Sequence, residues 1–328
     1  MAEWQALAER TEKSAQGFER EGRTVTAANH YLRASHYLSR VYGAYLRYGD
    51  NDGARPVYQR VRDLFNKGVE LAGRNLGIER VTIPFRQATL KGWLAAPERD
   101  GRRRAVVYHT GGADTTKETN FFRSFVWAPY LERDVSALLL DAPGQGEALN
   151  LDNLPLRANF EEASVAITAY LASRPDVDPQ RIGMYGSSMG GYLAGRAAAF
   201  DKRLAAVGLQ TCWYDMLRDS YEYCPQIRAQ LRFMTGSGSD QEARRILKDF
   251  NLRGIAKQIQ LPIFGVHGDG DEVIRVDGAK QLFNEIASPE KRLKIAAGER
   301  HNMDNEIPGL QDWLAMRLSG VTGGKTKL

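Results

Sequence analysis

The sequence predicts an α/β fold, in which a doubly wound, mostly parallel sheet follows an N-terminal helical region and carries a helical cap insertion. Two observations lead to this prediction. Residues 1–78 place apolar side chains at steps of three and four, which is typical of amphipathic helices. From residue 79 onward, short β-rich segments alternate with helical segments, which favours parallel pairing of the strands.

The N-terminal region is predicted to contain three helices. The clearest one is expected to be capped by Thr24 and to stop at Gly49, with an apolar stripe formed by Ala27, Tyr31, Ala34, Leu38, Val41 and Tyr45. A second stripe over Val57–Leu71 follows Pro56, which the first turn of a helix tolerates. A more polar helix is expected over Glu3–Arg20. We interpret the region as a cap or dimerisation element, with a repeat-like interaction module as the alternative.

Residues 79–210 and 259–320 are predicted to form the core. The predicted strands are Val81–Phe85, Leu90–Ala95, Ala105–His109, Ser136–Leu140, Ile182–Tyr185, Ala205–Leu209, Ile263–His267 and Leu293–Ile295. The predicted helices are Phe160–Ser173, Met189–Phe200, Gly278–Ala287 and Pro308–Leu318. Residues 211–258 interrupt this alternation and are predicted to be a cap insertion over the carboxyl edge of the sheet, where such folds place their sites. Residues 321–328 are predicted to be a disordered tail.

The composition argues against several classes of function. Hydrophobic residues (43%) and charged residues (26%) are in the range of ordinary globular proteins, and the net charge is only +5. The basic run Arg102–Arg104 precedes an apolar strand and is interpreted as a solvated turn. Residues 1–16 lack an apolar signal core, and Cys212 and Cys224 lack the spacing of a disulfide framework or metal site. We expect a cytoplasmic protein that binds neither nucleic acid nor membrane and needs no cofactor or metal.

The sharpest local motif is Gly186-Ser187-Ser188-Met189-Gly190, which lies between a predicted strand and a helix of small residues. A nucleophile at such a turn adopts a strained backbone, and glycines two residues before and after it let the neighbouring chains pass. Ser188 fits this pattern, whereas Ser187 does not, because Tyr185 and Met189 would occupy its glycine positions. Ser188 is therefore the predicted nucleophile.

A base and an acid for Ser188 are expected later in the chain, because this kind of fold orders its triad as nucleophile, acid and base. His301 follows the last predicted strand and is the predicted base. The acid is expected after the strand that ends at His267, where the spacing His-Gly-x-x-Asp favours Asp271, with Asp269 as the alternative. Asp271 would accept the Nδ1 proton of His301 and stabilise the imidazolium.

Two backbone amides are expected to stabilise an oxyanion. One is the amide of Met189, at the start of the helix that follows the nucleophile. The other belongs to the loop after strand Ala105–His109, where Gly112 and Ala113 remain equal candidates.

These motifs together resemble one branch of the α/β-hydrolase superfamily. That branch includes dihydroxypseudooxynicotine hydrolase, the fungal heptaketide-shortening pigment hydrolases and the fermentation–respiration switch protein. The segments that carry the resemblance are the N-terminal helices, Gly111-Gly112-x-Asp114-x-x-Lys117-Glu118, Asp141-x-Pro143-Gly144-x-Gly146, the motif around Ser188, His267-Gly268-x-x-Asp271, and His301. The motif around Ser188 and the triad are general to the superfamily, whereas the helices and the Asp114/Lys117/Glu118 segment are particular to the branch.

The resemblance implies hydrolysis of a carbon–carbon bond beside a ketone. Ser188 would attack the ketone and His301 would protonate the departing carbanion. It also implies N-terminal helices that cover the site and form a homodimer. A further acidic residue assists in some relatives, and Glu222 and Asp219 lie in the corresponding region of this chain.

Aromatic residues of the insertion and of the oxyanion loop are predicted to bind the substrate or, equally, to pack the cap. They include Trp213, Tyr214, Tyr221, Phe122 and Trp127. In the first case the small-molecule substrate would be a flat aromatic or polyketide-like β-dicarbonyl or aryl ketone. The alternatives are an esterase, thioesterase or acyl-transferring cyclase with the same triad, or a non-catalytic binding protein that retains the fold.

Overall fold

An eight-stranded sheet forms the centre of the computed structural model, which describes residues 1–98 and 100–319. The tail predicted for residues 321–328 lies outside the described residues. The strands are β1 (Ile78–Phe85), β2 (Ala88–Ala95), β3 (Arg104–Thr110), β4 (Ser136–Leu140), β5 (Val177–Ser187), β6 (Leu204–Gln210), β7 (Ile263–Gly268) and β8 (Lys291–Ala296). Their order in the sheet is β1-β2-β4-β3-β5-β6-β7-β8. The contacts of β2 with β1 and with β4 are antiparallel, and the pairs from β4 to β8 are parallel. The predicted fold class is confirmed.

Helices cover both faces of the sheet, so strands β3, β4 and β7 are buried along their whole length. The helices of the core are α4 (Lys117–Phe122), α5 (Ala128–Leu131), α6 (Gly146–Asn150), α7 (Glu161–Ser173), α8 (Met189–Phe200), α11 (Val276–Glu285) and α12 (Ile307–Ser319). Helices α7, α8 and α11 contribute to one hydrophobic cluster, and α5 and α12 contribute to a second cluster. The sheet therefore separates two hydrophobic layers.

Three helices precede the sheet, namely α1 (Ala2–Arg20), α2 (Thr24–Tyr48) and α3 (Asn51–Ala72). Helix α2 ends at Gly49 in the left-handed conformation, as predicted, but its cap is Arg23 and Thr24 is already helical. The expected position of Pro56 was also wrong. The side chain of Asp50 accepts a hydrogen bond from the amide of Gly53, so α3 begins before Pro56, which lies in the second turn.

The insertion between β6 and β7 consists of short helical segments. They are a π-helical turn (Leu217–Tyr221), 3₁₀ turns (Pro225–Ile227 and Ala256–Gln258), α9 (Arg228–Thr235) and α10 (Asp240–Leu247). Helix α9 packs against α2, and the guanidinium of Arg55 lies over the ring of Phe233 at 5.5 Å. The insertion and the N-terminal helices thus meet. None of the described helices is both long and apolar enough to cross a membrane.

Candidate active site

The turn between β5 and α8 holds Ser188 in an unusual backbone conformation, with φ 54° and ψ −121°. A non-glycine residue seldom adopts a positive φ, and it does so where the surrounding structure enforces it. The flanking glycines are required sterically. A Cβ atom on Gly186 would lie 2.1 Å from the carbonyl oxygen of Gly190, and one on Gly190 would lie 2.1 Å from the carbonyl oxygen of Thr110. The serine therefore projects at a sharp turn that leads into α8.

A chain of hydrogen bonds connects Ser188, His301 and Asp271. The Oγ atom of Ser188 lies 2.9 Å from Nε2 of His301. The Nδ1 atom of His301 lies 3.0 and 2.9 Å from the two carboxylate oxygens of Asp271. These are hydrogen-bonding distances, and the imidazole therefore bridges the hydroxyl and the carboxylate.

Asp271, and not Asp269, faces His301. The amides of Val273 and Ile274 donate to Asp271 Oδ1 at 2.8 and 2.9 Å, which fixes the carboxylate in the loop after β7. Burial raises the pKa of Asp271, but the hydrogen bond and charge of His301 and the two amides lower it further, so the net shift is downward. Asp269 instead accepts a hydrogen bond from the amide of Gly298 at 2.8 Å.

The oxyanion loop lies directly against Ser188, since a Cβ on Gly112 would be 3.1 Å from the Cβ of Ser188. The side-chain amide of Gln145 donates to the carbonyl oxygens of Gly111 and Gly112 at 2.8 and 3.0 Å. In a trans peptide the next N–H points opposite to the carbonyl. The amides of Gly112 and Ala113 therefore both point away from Gln145. Gln145 was not identified from the sequence as a residue that orients this loop.

A cavity of about 470 Å³ opens above Ser188 and His301. Its walls come from helix α2, the oxyanion loop, the segment after α4, the insertion, and the loops that carry Asp271 and His301. The lining residues are Arg47, Gly112, Ala113, Asp114, Thr115, Arg123, Val126, Ser187, Ser188, Gln210, Cys224, Gln226, Ile227, Gln230, Val273, His301 and Asn302. The volume is suited to a small molecule.

The aromatic residues predicted to bind the substrate are not among the residues that line this cavity. Trp213, Tyr214 and Tyr221 are buried, because they pack the insertion against the sheet. Phe122 contacts the ring of His36 and lines an adjoining cleft. Trp127 stacks on Phe121 and donates to its carbonyl oxygen at 3.0 Å. The positions of these rings agree with the packing interpretation, although Phe122 also lines the cleft beside the cavity.

The two acidic residues of the insertion also lie outside the cavity. Glu222 forms ion pairs with Arg228 at 3.1 Å and with Arg244 at 2.6 Å, and these contacts face solvent. Asp219 is buried and accepts hydrogen bonds from the amide of Asp215 at 2.9 Å and from the side chain of Arg218 at 2.6 Å. Both carboxylates are thus occupied within the insertion.

A second serine–histidine pair lies beside the triad and was not predicted. The Oγ atom of Ser187, which lines the cavity, is 3.1 Å from Nε2 of His109. Burial and, secondarily, the charge of Arg123 lower the pKa of His109 to about 3, so the ring is neutral. Ser187 does not fit the glycine pattern of a nucleophile, and the position of His109 before Gly111 and Gly112 was the one signal of this pair in the sequence.

A buried ionic cluster lies beneath the oxyanion loop. The ammonium of Lys117 is 2.8 Å from Glu118, 2.8 Å from Asp141 and 2.9 Å from Glu147, and all four side chains are almost inaccessible. Asp141 also accepts a hydrogen bond from the amide of Lys117 at 2.7 Å, which fixes the start of α4. The sequence identified Lys117 and Glu118 as markers of the branch without a role for them.

The described residues contain no cluster of three or more His, Cys, Asp or Glu side chains that could hold a metal ion. Cys212 and Cys224 are both free and buried.

Comparison with known proteins gives a family match for part of the chain and a fold for nearly all of it. Residues 158–318 match the model of the prolyl oligopeptidase family. The crystal structure of 2,6-dihydroxy-pseudo-oxynicotine hydrolase superposes with a TM-score of 0.82 at 23% identity, over 96% of this chain and 87% of that one. This chain has the α/β-hydrolase fold. A structure named AbyA5 has the same fold, with a TM-score of 0.70 at 19% identity over 96% of this chain and 89% of that chain.

Several fungal α/β-hydrolases are similar in sequence to this chain. The α/β-hydrolase gkaG of Penicillium citrinum is 32% identical over 235 residues, which are 69% of this chain and 53% of that protein. The hydrolyase ccsE of Aspergillus clavatus is 30% identical over 232 residues, or 65% of this chain and 52% of that protein. The chain thus spans about half the length of the curated relatives that it matches.

Proposed function

We propose that the protein is a serine hydrolase that cleaves a carbon–carbon bond next to a ketone. Ser188 is the proposed nucleophile, His301 the base and then the acid, and Asp271 the group that orients and stabilises His301. The observation that carries the proposal is the continuous hydrogen-bond chain from Ser188 Oγ through His301 to Asp271, with 2.9 Å between the hydroxyl and the imidazole.

The proposed reaction proceeds in two halves. His301 takes the proton of Ser188 as the Oγ attacks the ketone, and the amides of Met189 and of Gly112 or Ala113 donate to the resulting alkoxide. When the carbonyl re-forms, the carbon–carbon bond breaks and the His301 imidazolium protonates the departing carbanion. Water, deprotonated by His301, then attacks the acyl–Ser188 ester and releases a carboxylic acid and the free serine.

The carbanion departs readily only if a neighbouring carbonyl delocalises its charge as an enolate. The cavity supports binding of such a second carbonyl, because neutral polar side chains line it beside the triad. They are Ser187, Gln210, Gln226, Gln230 and Asn302. A β-dicarbonyl compound or an aryl ketone is therefore the proposed substrate class, in keeping with the resemblance of the sequence to carbon–carbon hydrolases.

One observation favours an ester or thioester bond as the alternative. The additional acid that assists carbon–carbon cleavage in some relatives has no counterpart from the insertion at the cavity, since Glu222 is engaged by Arg228 and Arg244. An alkoxide or thiolate leaving group needs no such assistance beyond His301. An acyl-transferring cyclase would use the same acyl–Ser188 intermediate.

The two possibilities are separated by incubating the purified protein and its Ser188→Ala variant with a series of β-diketones and with simple aryl esters. Cleavage of a diketone into a ketone and a carboxylic acid, lost in the variant, is the expected result. Ester turnover without any diketone cleavage would instead support the alternative.

A protein that only binds its ligand would share the fold, and labelling tests this directly. A fluorophosphonate is expected to modify the wild-type protein at Ser188 and to leave the Ser188→Ala variant unlabelled. Folded wild-type protein that resists labelling would rule out an activated serine.

We also propose that the N-terminal helices form a homodimer. Large apolar side chains, namely those of Trp4, Val25 and Tyr48, are exposed on α1 and α2. A buried contact between two copies would remove them from water. Light scattering coupled to size exclusion should give twice the monomer mass, and a monomer at all concentrations would refute the proposal.

A further inference from the structure

Arg123 is the one cation of the triad cavity that has no carboxylate partner within the part of the chain that the structure describes. Arg47, the other lining arginine, lies 3.8 Å from Asp114 in a partly exposed ion pair. Arg123 is half-buried, and its guanidinium lies over the ring of Phe125 at 5.3 Å, without a hydrogen bond or ion pair to another described side chain. The cavity therefore contains one uncompensated positive charge.

The position of Arg123 is fixed by structure on both sides. It follows α4, whose start carries a reciprocal capping box between Thr116 and Thr119 and is fixed by the buried Lys117. After it, the side chain of Gln311 donates to the carbonyl oxygens of Phe125 and Val126 at 2.8 and 3.3 Å. The backbone that carries the guanidinium is therefore already ordered before a ligand binds.

Arg123 also lies close to the reacting groups without touching them. It lines the same cavity as Ser188 and His301, and its charge contributes to the low pKa of His109, which in turn contacts Ser187. Arg123 lines in addition an adjoining cleft of about 780 Å³ beside α2, and the cleft and the cavity share Arg47, Asp114, Thr115, Arg123 and Asn302. A ligand group at Arg123 would thus sit between the triad and the cleft.

We propose that the substrate carries a carboxylate at the end remote from the cleaved bond, and that Arg123 binds this carboxylate. The inference rests on the proposed hydrolase function and names the substrate class of the same site. The planar fork of a guanidinium matches a carboxylate with two parallel hydrogen bonds. One uncompensated cation balances a monoanion, whereas a phosphate monoester carries a charge of about −1.5 to −2 and needs more than one cation. Asp114 and Asp304, the acidic residues of the shared cleft, disfavour a more highly charged ligand.

Two esters of equal chain length test the proposal, namely p-nitrophenyl pentanoate and mono-p-nitrophenyl glutarate, which differ by a terminal carboxylate. The wild-type protein is expected to prefer the glutarate ester. In Arg123→Gln, kcat/KM for the glutarate ester should fall by about 10- to 100-fold, mainly because KM rises. This is the size expected for the loss of one charge-assisted contact. Pentanoate turnover should fall much less than glutarate turnover, and Arg123→Lys should retain part of the preference. Arg245→Gln, an exposed arginine of the insertion, is the matched control and should leave both rates unchanged.

Equal losses for both esters in Arg123→Gln would mean that the arginine only supports the fold, and a wild-type protein without preference would refute the proposal. A binding experiment on the Ser188→Ala protein does not depend on turnover. Calorimetry should show tighter binding of monomethyl glutarate than of dimethyl glutarate, and the added substitution Arg123→Gln should remove this difference in affinity. If the wild type binds the monoanion in this way but cleaves no ester or diketone, the carboxylate site stands and the proposed function fails. Equal binding of both compounds would refute the site.

Discussion

The Nε2 atom of His109 lies 3.1 Å from the hydroxyl of Ser187, the residue immediately before Ser188. The other ring nitrogen of His109, Nδ1, is buried and has no hydrogen-bond partner among the described residues. A buried N–H without an acceptor costs more than a lone pair without a donor, which favours the tautomer with its proton on Nε2. His109 then donates to Ser187, and the hydroxyl proton of Ser187 is free to point into the cavity.

Replacing Ser187 by alanine is expected to impair cleavage of a β-diketone more than hydrolysis of an aryl ester. The hydroxyl would donate to the oxygen of the departing enolate, an interaction that an ester leaving group does not use. We expect kcat for the diketone to fall by about 10- to 100-fold, somewhat less than the loss of an oxyanion donor. Steady-state kinetics measure both rates. Ser187→Thr retains the hydroxyl and should keep most of the activity, whereas equal losses on both substrates would assign Ser187 a packing role.

His109 should make the protein less stable as the pH falls. Its pKa is about 3 in the folded state, below the ordinary value of 6.5, so between these limits the unfolded chain binds a proton that the folded chain does not. The contribution of His109 to the free energy of unfolding should therefore decrease by about 1.4 kcal/mol for each pH unit below pH 6.5. Above pH 6.5 this contribution should not change with pH. His109→Gln removes the contribution.

Urea unfolding of both proteins at about pH 8 and about pH 5 tests this expectation. The stability of the wild type relative to His109→Gln should be smaller at the lower pH. A difference that is the same at both pH values would show that protonation of His109 is not suppressed in the folded protein.

Gln145 is expected to support catalysis through the oxyanion loop without touching the substrate. Gln145→Leu keeps the volume but removes one donor from each of the carbonyls of Gly111 and Gly112, which retain the amide of Gly190 and the hydroxyl of Thr115. The amides on the far side of these peptides would be held less firmly, and kcat should fall by about 10-fold while KM changes little.

Gln311→Leu is the matched control for Gln145→Leu, because Gln311 also donates to two consecutive backbone carbonyls, those of Phe125 and Val126. It should lower stability by a similar amount and preserve kcat for a neutral ester. If both variants lose kcat equally, the effect of Gln145 is one of general stability.

Lys117 should be essential for stability. Burial lowers the pKa of its ammonium, but Asp141, Glu118 and Glu147 outweigh this effect and raise the pKa overall, so the group is charged. Lys117→Met leaves the buried carboxylates of Glu118 and Asp141 without their cation, whereas Glu147 keeps Arg80 and Lys91. The free energy of unfolding should fall by about 3–5 kcal/mol. Denaturant titration measures the loss.

The double variant Lys117→Met/Glu118→Gln should recover part of this stability. Burial raises the pKa of Glu118, and Lys117 opposes this effect. Once the lysine is removed, the buried negative charge of Glu118 should therefore destabilise the fold, and Glu118→Gln removes that charge. Lys280→Met, at an exposed ion pair with Asp277, should change stability by no more than about 0.5 kcal/mol. A double variant no more stable than Lys117→Met alone would contradict this account of the cluster.

The fold was predictable because its signals are local. Most strands are short apolar runs, and each of the eight predicted strands overlaps an observed strand, with errors of a few residues at the ends. The geometry around Ser188 was predictable for the same reason, since the two glycines and the serine lie within five residues. Asp271 and His301 followed from the order of elements along the chain. Their catalytic roles stay predictions until the proposed experiments are done.

The remaining features depend on contacts between distant segments. Lys117, Asp141 and Glu147 are separated along the chain and form a cluster only when α4, the end of β4 and α6 have come together in the fold. The aromatic residues of the insertion gave a misleading signal, because a ring that fills a hydrophobic core and a ring that lines a cavity have the same composition. Gln145 and Arg123 carry no motif, and their contacts became visible only in three dimensions.

The cavity wall joins α2, the segment after α4 and the insertion, while the hydrogen-bonded Ser188, His301 and Asp271 belong to the sheet and its loops. The part of the wall farther from Ser188 thus comes from other stretches of polypeptide than the reacting groups. Substitutions at Arg47, Ile227 or Gln230 can reshape what the cavity accepts without disturbing the reacting atoms. Relatives that share this architecture have a simple evolutionary route to new selectivity, and a laboratory library restricted to these positions could follow the same route.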